Sequence, residues 1–377
     1  MVLPLSVRLC RDLVAIPSVN PDGESDLANT GESEVAHFAG EFCRKHGAEV
    51  VYEEVLPGRP NIIARFPGGR PGKPRIVLGP HTDTVTVAGM TIPPFGAEIR
   101  DGRLYGRGAC DTKGTMAAML AALAEIGGGI PKLGAEITFA GFMGEETGQW
   151  GSRHFAKHHA DYDFALVGEP TGCAVVHTHK GSWWLALHTT GKAVHASTPE
   201  RGENAILKLL PVLDAVNREL RPALADLAFR HAVLGDSTVN IGIIRGGSRT
   251  NIVPDTCLAH LDIRFTPGLH RRGLEELLHE FLADRGWSDM VRLESMGLCA
   301  PLDTPADNSF VQKLAAAGNG LTGAPWFCDA AWLSEAGIPS VAAGPGSIAQ
   351  AHTADEWVSL EELEKGTAFY RKFLESL

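Results

Sequence analysis

The sequence contains few cysteines, and none of them forms a C-x-x-C pair. Seven cysteines are spread over the 377 residues: Cys10, Cys43, Cys110, Cys173, Cys257, Cys299 and Cys328. An odd, scattered set of thiols favours reduced cysteines over a disulfide framework or a cysteine-type zinc site.

The sequence also lacks clusters of lysine and arginine, and its formal net charge is −11. Because nucleic-acid binders usually present a basic face, we expect no nucleic-acid partner. Its apolar runs are shorter than the roughly 20 residues of a membrane span. Arg8, Arg11 and Asp12 interrupt the first of these runs, which is unlike a secretory signal. We therefore expect no membrane partner and a cytoplasmic location.

The length of the chain is too great for one ordinary core and suggests two domains. In the first part, apolar strand-like runs at 61–66, 75–78, 135–143 and 164–167 alternate with helical patterns at 34–46 and 112–126. Such alternation predicts an α/β fold in which a mostly parallel sheet is sandwiched by helices.

A different order follows Pro170. The patterns run strand, helix, strand, strand, helix, strand over 181–190, 203–220, 237–245, 256–265, 268–285 and 291–295. This order is typical of a ferredoxin-like α+β unit, which can fold as an insertion. We predict an α/β domain in two parts, 1–176 and 293–377, interrupted by an inserted domain over 177–292.

Five short motifs follow predicted strands or lie in loops of the α/β part. They are His81-Thr82-Asp83-Thr84-Val85, the segment 106–114, Gly144-Glu145-Glu146-Thr147-Gly148, Gly168-Glu169-Pro170-Thr171 and Ala351-His352-Thr353-Ala354-Asp355-Glu356. Ligands of open α/β folds collect outside the carboxyl ends of the strands. Each motif offers a carboxylate or an imidazole that is able to hold a metal ion.

The residue types in these motifs suggest separate roles. A metal-binding histidine needs an acceptor for its second ring nitrogen, so His81 is a candidate ligand and Asp83 its orienter. Asp111 could bridge two metal ions or simply cap the following helix. Adjacent acids repel unless a cation neutralises them, so one of Glu145 and Glu146 could bind metal while the other acts as a general base.

The charge of the set is consistent with two divalent ions. Two Zn²⁺ ions bring +4, while Asp111, Glu146, Glu169 and a bound hydroxide together bring −4, so the site would be neutral. Either His81 or His352 alone is more often an ordinary histidine than a ligand. All five motifs at successive strand ends are hard to explain by chance.

The five motifs, in this order, resemble those of the two-zinc amidohydrolases and exopeptidases, a family that includes acetylornithine deacetylase, succinyl-diaminopimelate desuccinylase, aminoacylase and glutamate carboxypeptidase. The resemblance covers essentially the whole chain and is strongest to the acetylornithine deacetylase branch. It implies a zinc exopeptidase-like fold, two Zn²⁺ ions (Co²⁺ or Mn²⁺ as substitutes) and a homodimer formed through the inserted lid domain.

The resemblance also implies a ligand set and a reaction. His81 and Glu169 would hold one zinc, Glu146 and His352 the other, and Asp111 would bridge them. A bridging hydroxide would attack the amide carbonyl, with Glu145 as general base and later proton donor.

The resemblance extends to residues that would contact the substrate. His195 would stabilise the oxyanion, and Asn251 and Arg264 would hold a free carboxylate, to which the planar guanidinium of arginine is suited. Gly346 and Asp329 would also lie at the substrate. Asp329 departs from the family pattern because the deacetylases carry a longer glutamate there and related peptidases often have aspartate. The identity of the leaving amine is therefore open.

The leading hypothesis is a zinc-dependent hydrolase of N-acyl amino acids, with N-acetyl-ornithine as the first candidate substrate. A dipeptidase or carboxypeptidase using the same residues is the alternative. A non-catalytic binding protein on this fold would not need a free base such as Glu145. A thiol hydrolase using Cys110 is a further option, but the sequence offers no evident histidine partner outside the metal set.

Overall fold

A computed structural model describes residues 3–22, 27–68 and 72–377. Its strands are β1 (Glu49–Leu56), β2 (Arg59–Arg65), β3 (Arg75–Gly79), β4 (Glu98–Arg100), β5 (Arg103–Tyr105), β6 (Glu136–Gly141), β7 (Phe164–Val167), β8 (Val175–His179), β9 (Gly181–Thr190), β10 (Thr238–Gly246), β11 (Thr256–Phe265), β12 (Val291–Cys299), β13 (Leu302–Asp303), β14 (Leu321–Ala324), β15 (Ser340–Ala342) and β16 (Trp357–Ser359).

Most of the predicted helical segments form α-helices in the structure. They are α1 (Leu5–Val14), α2 (Glu32–Lys45), α3 (Lys113–Ile126), α4 (Trp150–His158), α5 (Ala205–Ala215), α6 (Arg221–Leu224), α7 (Pro267–Arg272), α8 (Leu274–Ala283), α9 (Ser309–Ala317), α10 (Ala330–Glu335) and α11 (Leu360–Glu375). The chain divides into two units, one of residues 1–177, 304–322 and 328–377, the other of residues 178–303 and 323–327.

The first unit is built on a mixed sheet whose middle is parallel. Its order is β1-β2-β6-β3-β7-β15-β8, in which β6, β3, β7 and β15 run parallel and the outer pairings are antiparallel. Strands buried on both sides, such as β7, carry continuous apolar runs, as parallel strands between helices do. The predicted α/β fold with a mostly parallel sheet is therefore confirmed.

The stretch Lys113–Lys132, formed by α3 and the following 3₁₀ turn, is long and apolar enough to cross a membrane by length and composition. The expectation that no such run exists was therefore too strict. The window is 61% buried within the protein, and core helices of soluble proteins satisfy the same criterion. In α3, Met116, Leu120 and Leu123 belong to the hydrophobic core of the first unit.

The second unit contains a four-stranded antiparallel sheet in the order β10-β11-β9-β12. Numbered along the chain, these strands stand in the order 2-3-1-4, with α5 after the first and α8 between the third and fourth, as in the predicted ferredoxin-like motif. The core of this unit includes Leu209 and Val212 of α5, Leu278 of α8, and Leu185 and Ile263 of the sheet.

Two sequence-based helices differ from the structure. The predicted helix 268–285 is divided into α7 and α8 at Gly273, whose φ of 89° lies in the left-handed region and cannot continue a helix. The predicted helix 203–220 contains Pro211, and α5 continues past this residue to Ala215 and then widens into a π-helical turn, Val216–Leu220.

The predicted end of the inserted segment, residue 292, falls inside β12. This strand pairs with β9 from Val291 to Cys299, with a register shift between Ser295 and Gly297. The shift interrupts the alternation of side chains, which is why the sequence pattern stopped at residue 295.

Candidate metal centre

The central strands bring the first motifs to one edge of the sheet in the first unit. Because β6, β3 and β7 are parallel neighbours, their carboxyl ends lie side by side. His81 follows β3, Glu145 and Glu146 follow β6, and Glu169 follows β7. A bridge between His81 and Phe142 continues the pairing beyond the strands.

Three of the predicted ligands form a compact group. His81, Asp111 and Glu146 each offer a ligand atom, and these atoms all lie within 4.8 Å of one another. The closest pair is His81 Nε2 and Asp111 Oδ1, at 3.0 Å. His352, whose backbone has a left-handed φ of 62°, places Nε2 3.2 Å from Glu146 Oε2 and 3.5 Å from Asp111 Oδ2.

Asp83 contacts more groups of the site than the sequence suggested. The nearer partner of His81 Nδ1 is the backbone carbonyl of Asp83, at 3.0 Å, while the carboxylate Oδ1 lies at 3.4 Å. The carboxylate accepts the backbone N–H groups of Glu145 and Glu146 at 3.0 and 3.1 Å, and the side-chain amide of Asn20 at 2.7 Å. Asp83 therefore fixes the loop that carries both glutamates as well as the imidazole.

The carboxylates of the group influence one another strongly. Burial, together with the charge of Asp329, raises the pKa of Glu145 well above its ordinary value. Burial and the charge of Asp111 likewise raise the pKa values of Glu146 and Glu169. Buried acids held together in this way favour a site that receives positive charge.

Two neighbours of these acids, Asp111 and His352, have pKa values shifted toward their charged forms. Burial would raise the pKa of Asp111, but hydrogen bonds from His352 and His81 outweigh it and hold the pKa below its ordinary range. Hydrogen bonds to Asp111 and Glu146 raise the pKa of His352 to about 10. The imidazole thus compensates part of the negative charge.

The donor set fits a divalent metal ion. Glu146 Oε1 is buried and has no hydrogen-bond partner among the described residues. A buried carboxylate oxygen without a partner is unfavourable, and a cation would complete its coordination. Imidazole nitrogen with carboxylate oxygen suits Zn²⁺ and similar divalent ions.

Gln149 is a residue of the site that the sequence reasoning missed. Its Nε2 donates to Glu145 Oε1 at 2.9 Å, while its Oε1 accepts the indole N–H of Trp332 at 2.7 Å. Because the indole can only donate, it fixes which end of the amide faces Glu145. Gln149 lies four residues after Glu145 with a left-handed φ of 52°, which no periodic pattern indicates.

Asp329 is also buried in this region, as its side chain is 1% exposed. Its Oδ1 accepts the hydroxyl of Ser152 at 2.5 Å, and its Oδ2 has no hydrogen-bond partner among the described residues. Burial raises the pKa of Asp329 to about 7. The burial of Oδ2 is therefore not offset by a hydrogen bond within the described residues.

The predicted lid residues lie in the second unit. His195 is exposed, and its Nδ1 is 2.7 Å from Ser197 Oγ. Its segment is hydrogen-bonded to that of Asn251 through Ala196 N–H, at 3.1 Å. Arg264 Nη2 donates a hydrogen bond to Asp262 Oδ2 at 3.1 Å, and its Nε lies 2.9 Å from Asp262 Oδ1 in an ion pair. The oxyanion and carboxylate-binding roles of these residues stay predictions.

Gly346 and Cys110 are packed against each other in the first unit. A Cβ atom on Gly346, which has a φ of 89°, would lie 2.7 Å from Cys110 Sγ, so this close approach requires glycine. The Cys110 thiol is 1% exposed and donates to the Ser347 carbonyl at 3.3 Å. Burial and the charge of Glu356 raise its pKa well above the ordinary value, which disfavours the nucleophilic thiolate. A substrate role for Gly346 stays a prediction.

A mixed α/β fold with a histidine and carboxylates gathered at its strand ends fits a metal-dependent hydrolase. Residues 77–376 match Peptidase family M20/M25/M40, and the chain belongs to this family. It is similar to acetylornithine deacetylase of Proteus mirabilis (strain HI4320), with 31% identity over 374 residues that cover 96% of this chain and 94% of the relative. Acetylornithine deacetylase of Klebsiella pneumoniae (strain 342) is 33% identical over 367 residues, covering 94% and 93%.

Solved structures share the fold over nearly the full length. Aminopeptidase PepT of Bacillus cereus ATCC 10987 aligns with a TM-score of 0.77 and 22% identity, covering 98% of this chain and 97% of that one. The M20 family metallo-carboxypeptidase Sso-CP2 of Sulfolobus solfataricus aligns with a TM-score of 0.77 and 19% identity, covering 98% of each. The resemblance to acetylornithine deacetylases inferred from the motifs is thus confirmed at the level of the family.

Substitution of the buried Cys110 distinguishes metal-dependent from thiol-dependent hydrolysis. Replacing Cys110 by alanine is expected to leave turnover and metal content as in the wild type and to lower stability by about 1 kcal/mol, because it removes one buried sulfur atom. Turnover, metal content and urea unfolding of the variant would be measured. Cys299, which is partly exposed, supplies the matched Cys299→Ala control. Loss of turnover in Cys110→Ala alone, with metal retained, would contradict the metal-dependent assignment.

Proposed function

We propose that this chain hydrolyses the amide bond of an N-acyl amino acid and that two divalent ions are held by His81, Asp111, Glu146, Glu169 and His352. The observation that carries this proposal is the group of His81, Asp111 and Glu146 next to a separate acid, Glu145. Bound divalent ions would supply Lewis acidity, which polarises a carbonyl and acidifies water.

Glu145 is the proposed general base. Its Oε1 accepts the amide N–H of Gln149, and its backbone is held by Asp83 Oδ1, so the carboxylate has a fixed position. Glu146, its neighbour, is within 3.2 Å of His352 Nε2 and belongs to the ligand group. Glu145 would take a proton from the attacking water and return it to the leaving amine.

The adjacent glutamates offer a matched pair of substitutions. Glu145→Gln is expected to retain the metal ions and to lose about 10²–10⁴-fold in kcat, because the base is removed without removing a ligand. Glu146→Gln is expected to lose metal together with activity. Metal content by mass spectrometry and kcat of both variants would be measured at equal metal concentration. Loss of metal from Glu145→Gln would reverse the two assigned roles.

Asp329 is proposed to bind the substrate. Its partner-free Oδ2 is suited to a cationic group, such as the side-chain ammonium of N-acetyl-ornithine. The similarity to acetylornithine deacetylases supports this substrate as the first candidate. A dipeptidase would use the same residues, so only assays with both kinds of substrate distinguish a deacetylase from a peptidase.

Selectivity is predicted to depend on the charge of Asp329. Asp329→Asn is expected to raise KM for N-acetyl-ornithine by about 10- to 100-fold, the loss of one charged hydrogen bond. It should change KM for neutral N-acetyl-leucine much less. Both substrates, several dipeptides and N-succinyl-diaminopimelate would be assayed with the zinc- or cobalt-loaded protein. Glu361→Gln, which removes one negative charge from an exposed glutamate, is the control. Equal effects on both acetyl substrates would contradict amine recognition, and cleavage of dipeptides alone would indicate a peptidase.

We also propose a homodimer formed through the second unit. Apolar side chains are exposed on α5, at Leu207 (64%) and Leu210 (48%). The edge strand β10 also exposes Ile244 (52%) and leaves one row of backbone groups unpaired by the sheet. Such a surface favours association.

The proposed dimer predicts a change of mass in solution. Light scattering of the wild type is expected to give twice the mass of the chain, and the double substitution Leu207→Glu and Leu210→Glu should give the monomer. Two charges introduced into an apolar contact would be unfavourable there. Leu227→Glu, at another exposed leucine of the same unit, is the control. A wild type of single-chain mass at micromolar concentration would contradict the dimer.

A further inference from the structure

The buried carboxylate of Glu356 accepts four hydrogen bonds. It lies just before β16 in the first unit, and its side chain is fully buried. Its Oε2 accepts Arg107 Nη1 at 2.8 Å and the Gly108 N–H at 3.2 Å. Its Oε1 accepts the N–H groups of Cys110 and Asp111 at 2.9 and 3.0 Å.

These donors belong to the irregular loop that presents Asp111. The loop precedes α3, and its Gly108 has a left-handed φ of 80°. The N–H groups of Gly108, Cys110 and Asp111 all point to the same carboxylate. A carboxylate that accepts several N–H groups is a strong and directional anchor, since charge-assisted hydrogen bonds are about twice as strong as neutral ones.

The same side chain also links this loop to the segment of His352. Glu356 follows His352 by four residues, and its backbone carbonyl accepts the Gly106 N–H at 3.0 Å. Arg107 Nη1 donates to the Thr353 carbonyl at 3.2 Å as well as to Glu356. The imidazole of His352 then reaches Asp111 Oδ2 at 3.5 Å.

We propose that Glu356 is a positioning residue that sets the metal affinity of the site by holding Asp111 in register with His352. Glu356 is not one of the proposed ligands, and the inference rests on the proposed ligand roles of Asp111 and His352. Residues that orient metal ligands typically alter metal affinity or activity by about 10–100-fold when they are replaced. Arg107 balances the charge of the carboxylate.

The direct experiment is Glu356→Gln. Glutamine has the size of glutamate, but one of its two terminal atoms is an NH₂ group, which cannot accept a hydrogen bond. Either the bond from Arg107 or the bonds from Cys110 and Asp111 are therefore lost. The metal-free variant is expected to keep the circular dichroism spectrum of the wild type. Its affinity for Zn²⁺, measured by calorimetry, should fall by about 10–100-fold. The visible spectrum of bound Co²⁺ should also change.

Glu361→Gln is the control, since it removes the same charge from an exposed glutamate that pairs with Lys365. A folded Glu356→Gln protein with wild-type Zn²⁺ affinity and Co²⁺ spectrum would overturn the positioning role while leaving the metal centre intact. A wild type that binds neither ion would overturn the metal centre itself, and this inference with it. If Glu356→Gln does not fold, Glu356→Asp, which retains the charge on a shorter arm, should show an intermediate affinity, and unchanged affinity would overturn the inference.

Discussion

The first unit concentrates negative charge at one buried edge of a sheet. Asp83, Asp111, Glu169 and Asp329 are each 6% exposed or less, and Glu145 and Glu146 lie among them. Burial of several carboxylates is unfavourable unless hydrogen bonds or cations compensate their charge. The surrounding structure supplies only part of this compensation, which explains why the pKa values of Glu145, Glu146 and Glu169 are raised.

The sequence was informative where function follows directly from a strand end. The parallel strands β6, β3 and β7 end side by side, so the residues just after each strand meet. His81, Glu169 and the pair of Glu145 and Glu146 could be selected as candidates on that basis, while the choice between the two glutamates came from the family resemblance. The ferredoxin-like order of the second unit was equally predictable, because its strands alternate and its helices carry apolar faces.

The supporting contacts could not be predicted, because they join residues that are far apart in the chain. Glu356 meets Asp111 across 245 positions, Asn20 meets Asp83 across 63, and Trp332 meets Gln149 across 183. No local pattern marks such an acceptor, and each side chain viewed alone is an ordinary polar residue. The break at Gly273 was missed for a different reason: the apolar face continues through it, and only its positive φ ends the helix.

The acids of the site therefore fall into two groups with different tasks. Asp83 and Glu356 accept backbone N–H groups and hold loops, and Glu32 does the same for Gly144 while paired with Arg59. Glu146 and Asp329 each keep a buried oxygen without a partner among the described residues. Because a saturated carboxylate has little capacity left for a ligand, the first group can fix geometry without competing for cations. The second group keeps acceptor oxygens open for the proposed metal and substrate, so the same residue type would serve as scaffold and as binding group within one cluster.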